Sequence, residues 1–173
     1  MLYPQLVLGC DGKSRKLGAY FTGIEIIVED VSQIILDEMF LQDLIDQVKS
    51  NPELWESTAI FITTDEGGGY YDSGYIQAVD FFGDGTRIPF IAVSPYAKKG
   101  YVDHTYYDHA SLSKFIEANW NLPAISGRSR DNLPNPVAPR HDPYRPVNGP
   151  AIGDLMNLFS FRHGHDHDQD DDD

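Results

Sequence analysis

The stretch STAIFITTDEGGGYYDSG, residues 57–74, holds the features that most strongly indicate the fold and the functional site of this chain. Its first part, residues 57–64, is apolar and β-branched, which is typical of a short buried strand. Two adjacent carboxylates, Asp65 and Glu66, follow directly, and three glycines come next. Because ligands of open α/β sheets bind beyond the carboxyl ends of the strands, we expect this strand end to face a functional site. The alternative is a strand that ends in a polar, solvated turn.

The two carboxylates are candidate metal ligands. Hard oxygen ligands such as Asp65 and Glu66 can hold a divalent cation, and the glycines at 67–69 let a substrate or a backbone segment approach closely. Carboxylates suit Mg²⁺, Ca²⁺ or Mn²⁺ and do not exclude iron or zinc, so the sequence leaves the identity of the metal open.

Predicted helices and strands alternate around this stretch. Residues 37–49 and 107–120 carry apolar side chains at helical spacing. Residues 88–94 (IPFIAVS) have the pattern of a second buried strand, and residues 23–31 are rich in β-branched residues. This alternation favours an α/β fold with a largely parallel sheet.

The remainder of the chain changes character after the second predicted helix. Residues 134–150 hold six of the eleven prolines and are expected to run extended along the surface. Residues 151–161 are apolar again and are expected to dock as a short helix. The last eleven residues, 163–173 (HGHDHDQDDDD), are expected to be a disordered tail. We therefore divide the chain into a folded portion, residues 1–162, and this tail.

Charge and composition exclude several classes of protein. The net charge is −14; without the six aspartates of the tail it is −8, from 21 acidic and 13 basic residues. A chain with this excess of negative charge lacks the basic surface that binds nucleic acid or anionic membranes. Its apolar runs are far shorter than the roughly 20 residues of a transmembrane helix. Cys10 is the sole cysteine, so no disulfide forms within the chain. No secretion signal is visible, and the localisation stays open.

A second group of chemistry-bearing residues is VDHTYYDHAS, residues 102–111. His104 and His109 are five residues apart, so on one continuous helix their rings would point in different directions, which argues against a two-histidine helical metal site. His104 is expected in the loop before the helix, where it would face the same sheet edge as Asp65. The alternative is a surface or capping histidine.

Three blocks together resemble the C-terminal part of the bacterial phosphoesterase family of phospholipases C and acid phosphatases, within the alkaline phosphatase superfamily. The first is WESTAIFITTDEGGGYYDSGYIQAVDFFGDGTRIPFIAVSPYAKKG, residues 55–100. The second and third are residues 102–136 and AIGDLMNLFSF, residues 151–161.

The resemblance implies a fold, a reaction and site residues. The fold is a partial alkaline-phosphatase-like α/β/α sandwich, and the reaction is metal-assisted hydrolysis of a phosphate ester, either a small molecule or a phospholipid headgroup. Asp65 and Glu66 match two consecutive acidic ligands of a divalent metal ion, and His104 lies in a recurring block as a candidate catalytic residue. In this family a Ser or Thr hydroxyl, activated by the metal, is the nucleophile.

The chain also departs from the family pattern. Residues 1–35 contain no counterpart of the family's E-N-x-S-F-D metal motif or of its nucleophile, and no histidine precedes His104. Where many relatives have D-H after the glycines, this chain has Asp72-Ser73. We therefore expect a truncated, split or degenerate form that is inactive, or nearly so, by itself.

A different class of function stays open on the same observations. The chain would then be a non-catalytic, phosphatase-like binding domain, or a protein whose acidic tail binds metal ions; a purely solubilising tail is the preferred interpretation of that segment. Missing strands would leave an uncovered sheet edge, through which self-association or docking of a complementary chain is expected.

Overall fold

The computed structural model of the protein describes residues 5–10, 17–22 and 31–161. Helices and strands are mixed along these residues, which confirms the α/β class. The elements are β1 (Gln5–Cys10), β2 (Leu17–Thr22), α1 (Val31–Lys49), α2 (Pro52–Trp55), β3 (Ile60–Thr63), β4 (Phe90–Val93) and α3 (Ala110–Trp120), followed by the 3₁₀ turns Arg130–Asn132 and Met156–Leu158.

Both strand pairs are antiparallel. β1 pairs with β2, and β3 pairs with β4 so that Ile60 lies opposite Val93 and Thr63 opposite Phe90. The segment 64–89 between β3 and β4 contains no helix, whereas neighbouring parallel strands need a crossover that is usually helical. The described residues therefore do not confirm the largely parallel sheet or the complete sandwich, although β3 and β4 lie inside the two predicted strands.

Helix α1 is longer than its periodicity indicates, because it begins at Val31 rather than at residue 37. Its apolar stripe turns inward: Val48 is buried, and Leu44 and Ile45 are partly buried between exposed polar neighbours. The strand predicted at 23–31 is wrong at its last residue, which is helical, and its remaining residues lie outside the described part of the chain.

Helix α3 begins at Ala110, later than the predicted residue 107. The carboxylate of Asp108 accepts the Ala110 backbone N–H at 2.8 Å, in an Asx turn that leads into the helix. The helix ends at Trp120 because Asn121 adopts a left-handed conformation (φ 55°) and its N–H closes on the carbonyl of Glu117.

The core lies between the β3–β4 pair and α3. Phe115 of α3 is fully buried and packs edge-on against Phe61 of β3, with ring centroids 5.2 Å apart. Phe159 lies 5.4 Å from Phe115, and Ala59 and Leu155 complete the buried cluster. This packing holds the end of β3 beside the start of α3.

The proline-rich segment forms no helix or strand between 134 and 150, as predicted. Lys114 of α3 binds the backbone on both sides of this segment. The Lys114 Nζ donates to the carbonyl of Leu133 at 2.5 Å and to that of Ile152 at 2.7 Å. Burial lowers the pKa of this ammonium group.

Residues 151–161 dock on the core as expected, but not as a helix of that length. Ile152 and Phe159 are buried, yet only Met156–Leu158 forms a helical turn, of the 3₁₀ type. Phe159 instead makes a β-bridge with Ala97, which keeps this segment extended. The predicted tail lies outside the described residues. No helix of the described part of the chain has the length and apolar character to cross a bilayer.

Candidate functional site

A cleft of about 1100 Å³ opens where β3 ends. Its walls come from the loop after β3, the loop that leads into β4, the residues around the start of α3, and part of the proline-rich segment. Asp65, Glu66 and His104 all line this cleft. The structure thus brings to one cleft the three residues that the sequence singled out.

The two carboxylates follow β3 in a tight, polar turn. Both are exposed, and the Glu66 N–H donates to Asp65 Oδ1 at 2.8 Å. The hydroxyl of Thr64 donates to the Glu66 carbonyl at 3.1 Å. A Cβ on Gly67 would collide with the hydroxyl of Thr86, so only glycine lets these two cleft-lining loops approach this closely.

These carboxylates fit part of a divalent metal site. They are adjacent oxygen donors, exposed to the cleft, of the kind that hard cations prefer. Among the described residues, however, no group of three or more His, Cys, Asp or Glu side chains is placed to hold a metal ion. Asp65 and Glu66 therefore supply two metal ligands, and the described residues do not supply the rest of a metal site.

The two histidines take different positions in the cleft wall. His109 reaches the end of β3, where its Nε2 lies 3.1 Å from the Thr64 carbonyl, next to Asp65. Since a carbonyl only accepts, this contact places a proton on Nε2. His104 is exposed, and its ring lies edge-on to that of Tyr144, 4.8 Å away. The sequence favours His104 as the functional histidine, whereas His109 is the one that contacts the residue after β3. The position of His109 just before the first residue of α3 is the signal that indicates it.

An ion pair that the sequence did not reveal closes the long connection between β3 and β4, residues 64–89, beside the cleft. Arg87 Nη2 lies 2.6 Å from Asp72 Oδ1, and the Arg87 backbone N–H donates to Oδ2 at 2.8 Å. The Gly74 N–H adds a third donor at 2.8 Å. Hydrogen bonds from the Arg87 side chain, and then from the two backbone donors, hold the pKa of Asp72 far below its usual range. A side chain at Gly74 would collide with the guanidinium.

We expect Asp72→Asn to lower Tm at neutral pH, because the amide cannot replace the charge that Arg87 faces. The native pKa of Asp72 lies below the ordinary value of 3.8. The ionised carboxylate therefore stabilises the fold fully above pH 3.8, and this stabilisation is lost as the pH falls through the native pKa. The Tm difference between wild type and variant should therefore shrink in strong acid.

Thermal unfolding followed by circular dichroism across this pH range measures the effect. Asp43→Asn, which changes an exposed carboxylate on α1, is the control. A Tm difference that is the same in acid and at neutral pH would contradict the role of the Asp72 charge.

Arg130 is the centre of a second ionic network. Its Nε lies 3.0 Å from Asp80 Oδ2, and its Nη1 lies 3.0 Å from Asp108 Oδ2 and 3.5 Å from Asp84 Oδ1. Its Nη2 also donates to the Gly83 carbonyl at 2.5 Å. One side chain thus ties the turn at 80–83 to the start of α3, across the cleft wall.

Burial shifts the pKa values of ionisable side chains in this wall of the cleft. It raises the pKa of Asp108, and the negative charge of Asp84 adds to the effect. Burial likewise raises the pKa of Tyr106 and of Tyr107, so both hydroxyls stay protonated. They donate to Asp84 at 2.8 Å and to Asp103 at 2.6 Å, respectively.

Comparison with known proteins finds phospholipases C of several bacteria. The chain is 32% identical over 148 residues to a non-hemolytic phospholipase C of Burkholderia pseudomallei, in an alignment that covers 70% of the chain and 19% of that protein. It is 28% identical over 147 residues to a hemolytic phospholipase C of Pseudomonas aeruginosa, covering 72% of the chain and 18% of that protein. It is also 26% identical over 136 residues to phospholipase C B of Mycobacterium tuberculosis strain H37Rv, in an alignment that covers 65% of the chain and 23% of that protein.

The chain spans about a fifth of the length of these relatives. A family profile, described as that of the Phosphoesterase family, matches residues 29–123, and this range includes Asp65, Glu66 and His104. The resemblance drawn from the sequence is confirmed. Because the family profile matches more than half of the residues of this chain, the chain belongs to the Phosphoesterase family.

Proposed function

We propose that this chain supplies part of the active site of a metal-dependent phosphate ester hydrolase, with Asp65 and Glu66 as ligands of a divalent metal ion. The supporting observation is that both carboxylates lie exposed and adjacent in the cleft at the end of β3, within the region that matches the family. A cation held there would neutralise charge on the phosphoryl oxygens and lower the pKa of an attacking hydroxyl.

The histidines receive distinct roles in this proposal. His104 is the catalytic residue, because it is exposed in the cleft and an imidazole is suited to proton transfer near neutral pH. His109 is a positioning residue, because its contact with the Thr64 carbonyl fixes the turn that presents Asp65.

The proposed substrate is a phosphate ester, either a small molecule or a phospholipid headgroup. The relatives are named phospholipases C, which supports the second of these. In the cleft, Arg145 supplies N–H donors of the kind that bind phosphoryl oxygens, whereas the Nε and Nη2 of Arg87 donate to Asp72. The cleft volume of about 1100 Å³ is ample for such a headgroup.

Several finer expectations stay predictions alongside this function. They are the parallel sheet of a complete α/β/α sandwich, the division into residues 1–162 and a tail, truncation of the family's nucleophile half, and self-association through a sheet edge. The alternative function, metal binding by the acidic tail of a non-catalytic domain, competes directly with the cleft site.

Calorimetric titration with Mn²⁺ tests the proposal and separates it from that alternative. We expect binding to the intact chain and to a form that ends at residue 162, because Asp65 and Glu66 remain in both. Binding that disappears with the tail would contradict the cleft site and favour the tail.

Turnover of a chromogenic phosphate ester complements the titration. We expect the intact chain to show little or none, since no residue matches the family's nucleophile motif. Robust turnover that a chelator abolishes would confirm metal dependence and contradict the predicted truncation.

A further inference from the structure

Four aromatic side chains next to the cleft are far more exposed than ordinary surface residues. The exposed fractions are 83% for Tyr70, 92% for Tyr71, 96% for Phe81 and 91% for Phe82. No other large apolar side chain that the structure describes exceeds 76%, the value for Ile125. They form two pairs of consecutive residues, which we call the tyrosine pair and the phenylalanine pair.

The phenylalanine pair is held outward by a turn whose two ends are both anchored. The Gly83 N–H donates to the Asp80 carbonyl at 3.1 Å, and the Phe82 N–H donates to Asp80 Oδ1 at 2.8 Å. Arg130 binds the Asp80 carboxylate and the Gly83 carbonyl. The two rings meet edge-on at 5.4 Å. Exposure of these rings is thus built into the turn and its ionic anchor.

The tyrosine pair leaves the cleft on a similar turn. The Tyr70 N–H donates to the carbonyl of Gly67, a cleft-lining residue, at 3.1 Å, and Gly69 has the positive φ of 77° that the turn needs. Asp72 directly follows this pair, and its ion pair with Arg87 closes the connection between β3 and β4, which carries both aromatic pairs. Both pairs therefore lie within three residues, along the chain, of residues that line the cleft.

The chemistry of these pairs favours an uncharged apolar partner. Exposed phenylalanine rings gain free energy on leaving water, and aromatic side chains prefer the boundary between lipid and water. Two of the nearby acids are already paired, Asp72 with Arg87 and Asp80 with Arg130. With a net charge of −14, the chain gains nothing from an anionic surface.

We propose that the tyrosine and phenylalanine pairs form a contact surface for zwitterionic lipid bilayers, which brings the cleft to phospholipid headgroups. The inference rests on the proposed function, because a cleft that accepts a headgroup must reach one at the bilayer surface. Binding would come from insertion of the rings into the interface, and not from charge.

Co-sedimentation with phosphatidylcholine vesicles tests the proposal on the intact chain. We expect Phe81→Ser with Phe82→Ser to lower the vesicle partition coefficient about tenfold or more, since each ring loses its apolar burial. Ile125→Ser, at an exposed apolar residue outside the cleft wall, is the matched control and should leave partitioning unchanged. Added salt should not weaken binding, and phosphatidylserine in the vesicles should not strengthen it.

Three outcomes would overturn the proposal. One is no vesicle binding by the wild-type chain, and another is an equal loss in the Ile125 control. The third is sedimentation velocity, without lipid, that reveals a dimer dependent on the phenylalanine pair, since the occupant would then be a second copy. Mn²⁺ titration of the same preparation keeps the two proposals apart: metal binding without vesicle binding refutes only the lipid surface, and the reverse refutes only the metal site.

Discussion

Replacing Asp65 with Asn together with Glu66 with Gln is expected to weaken Mn²⁺ binding by the intact chain about 100-fold or more, since even outer-sphere changes at metal sites cost about 10–100-fold. The amides keep the size of the side chains but remove both negative charges. Because the described residues supply no third ligand from a nearby His, Cys, Asp or Glu side chain, little remains to compensate. Calorimetric titration of each single variant and of the double variant measures the loss.

The control for this change is Glu53→Gln, which removes an exposed carboxylate in the first turn of α2, outside the cleft. It should leave the affinity for Mn²⁺ unchanged, so that a general effect of charge on metal binding is excluded. An unchanged affinity in the double variant would refute both residues as ligands. Far-ultraviolet circular dichroism of each variant confirms that the fold is retained.

Phe115→Ala is expected to have the largest effect on stability, lowering the free energy of unfolding by about 3–5 kcal/mol. The Phe115 ring is fully buried, and it contacts Phe61 at 5.2 Å and Phe159 at 5.4 Å, so its removal leaves a cavity that aromatic neighbours fill poorly. Urea unfolding followed by circular dichroism gives the difference.

Phe82→Ala is the matched control, because it makes the same chemical change at a ring that is 91% exposed. Its effect should stay within about 0.5 kcal/mol, the usual range for surface substitutions. Similar losses at the two positions would mean that the core is not organised around Phe115. Since Phe115 packs β3 against α3, loss of metal binding by a folded Phe115→Ala variant would show that this packing positions Asp65.

Local patterns in the sequence predicted several features of the site well. A β-branched run ending in two carboxylates predicted a strand with Asp65 and Glu66 at its end, and the structure has β3 and then both residues in the cleft. The expectation that His104 would lie in the loop before the helix and face the same region is also met, since it lines the same cleft. These features depend on residues close together in the chain.

The ionic partners could not be predicted in the same way. Arg87 binds Asp72 across a long loop, and Arg130 binds Asp80 and Asp108 from a later segment. Nothing in the spacing of these residues distinguishes a buried partner from a solvated charge. The choice depends on how the loops fold back over the start of α3.

The sequence by itself determined the α/β class and the residue types at the end of β3, because helical and strand periodicity and adjacent carboxylates are local properties. The family followed from the resemblance of three blocks of sequence to its members. Only the tertiary structure decided that β3 and β4 pair antiparallel, that His109 rather than His104 contacts the strand end, and that two aromatic pairs stand exposed beside the cleft. The physical reason is that the direction of strand pairing, the side-chain contacts and the exposure of a residue depend on long-range packing around Phe115 and Arg130. Local periodicity carries no information about that packing.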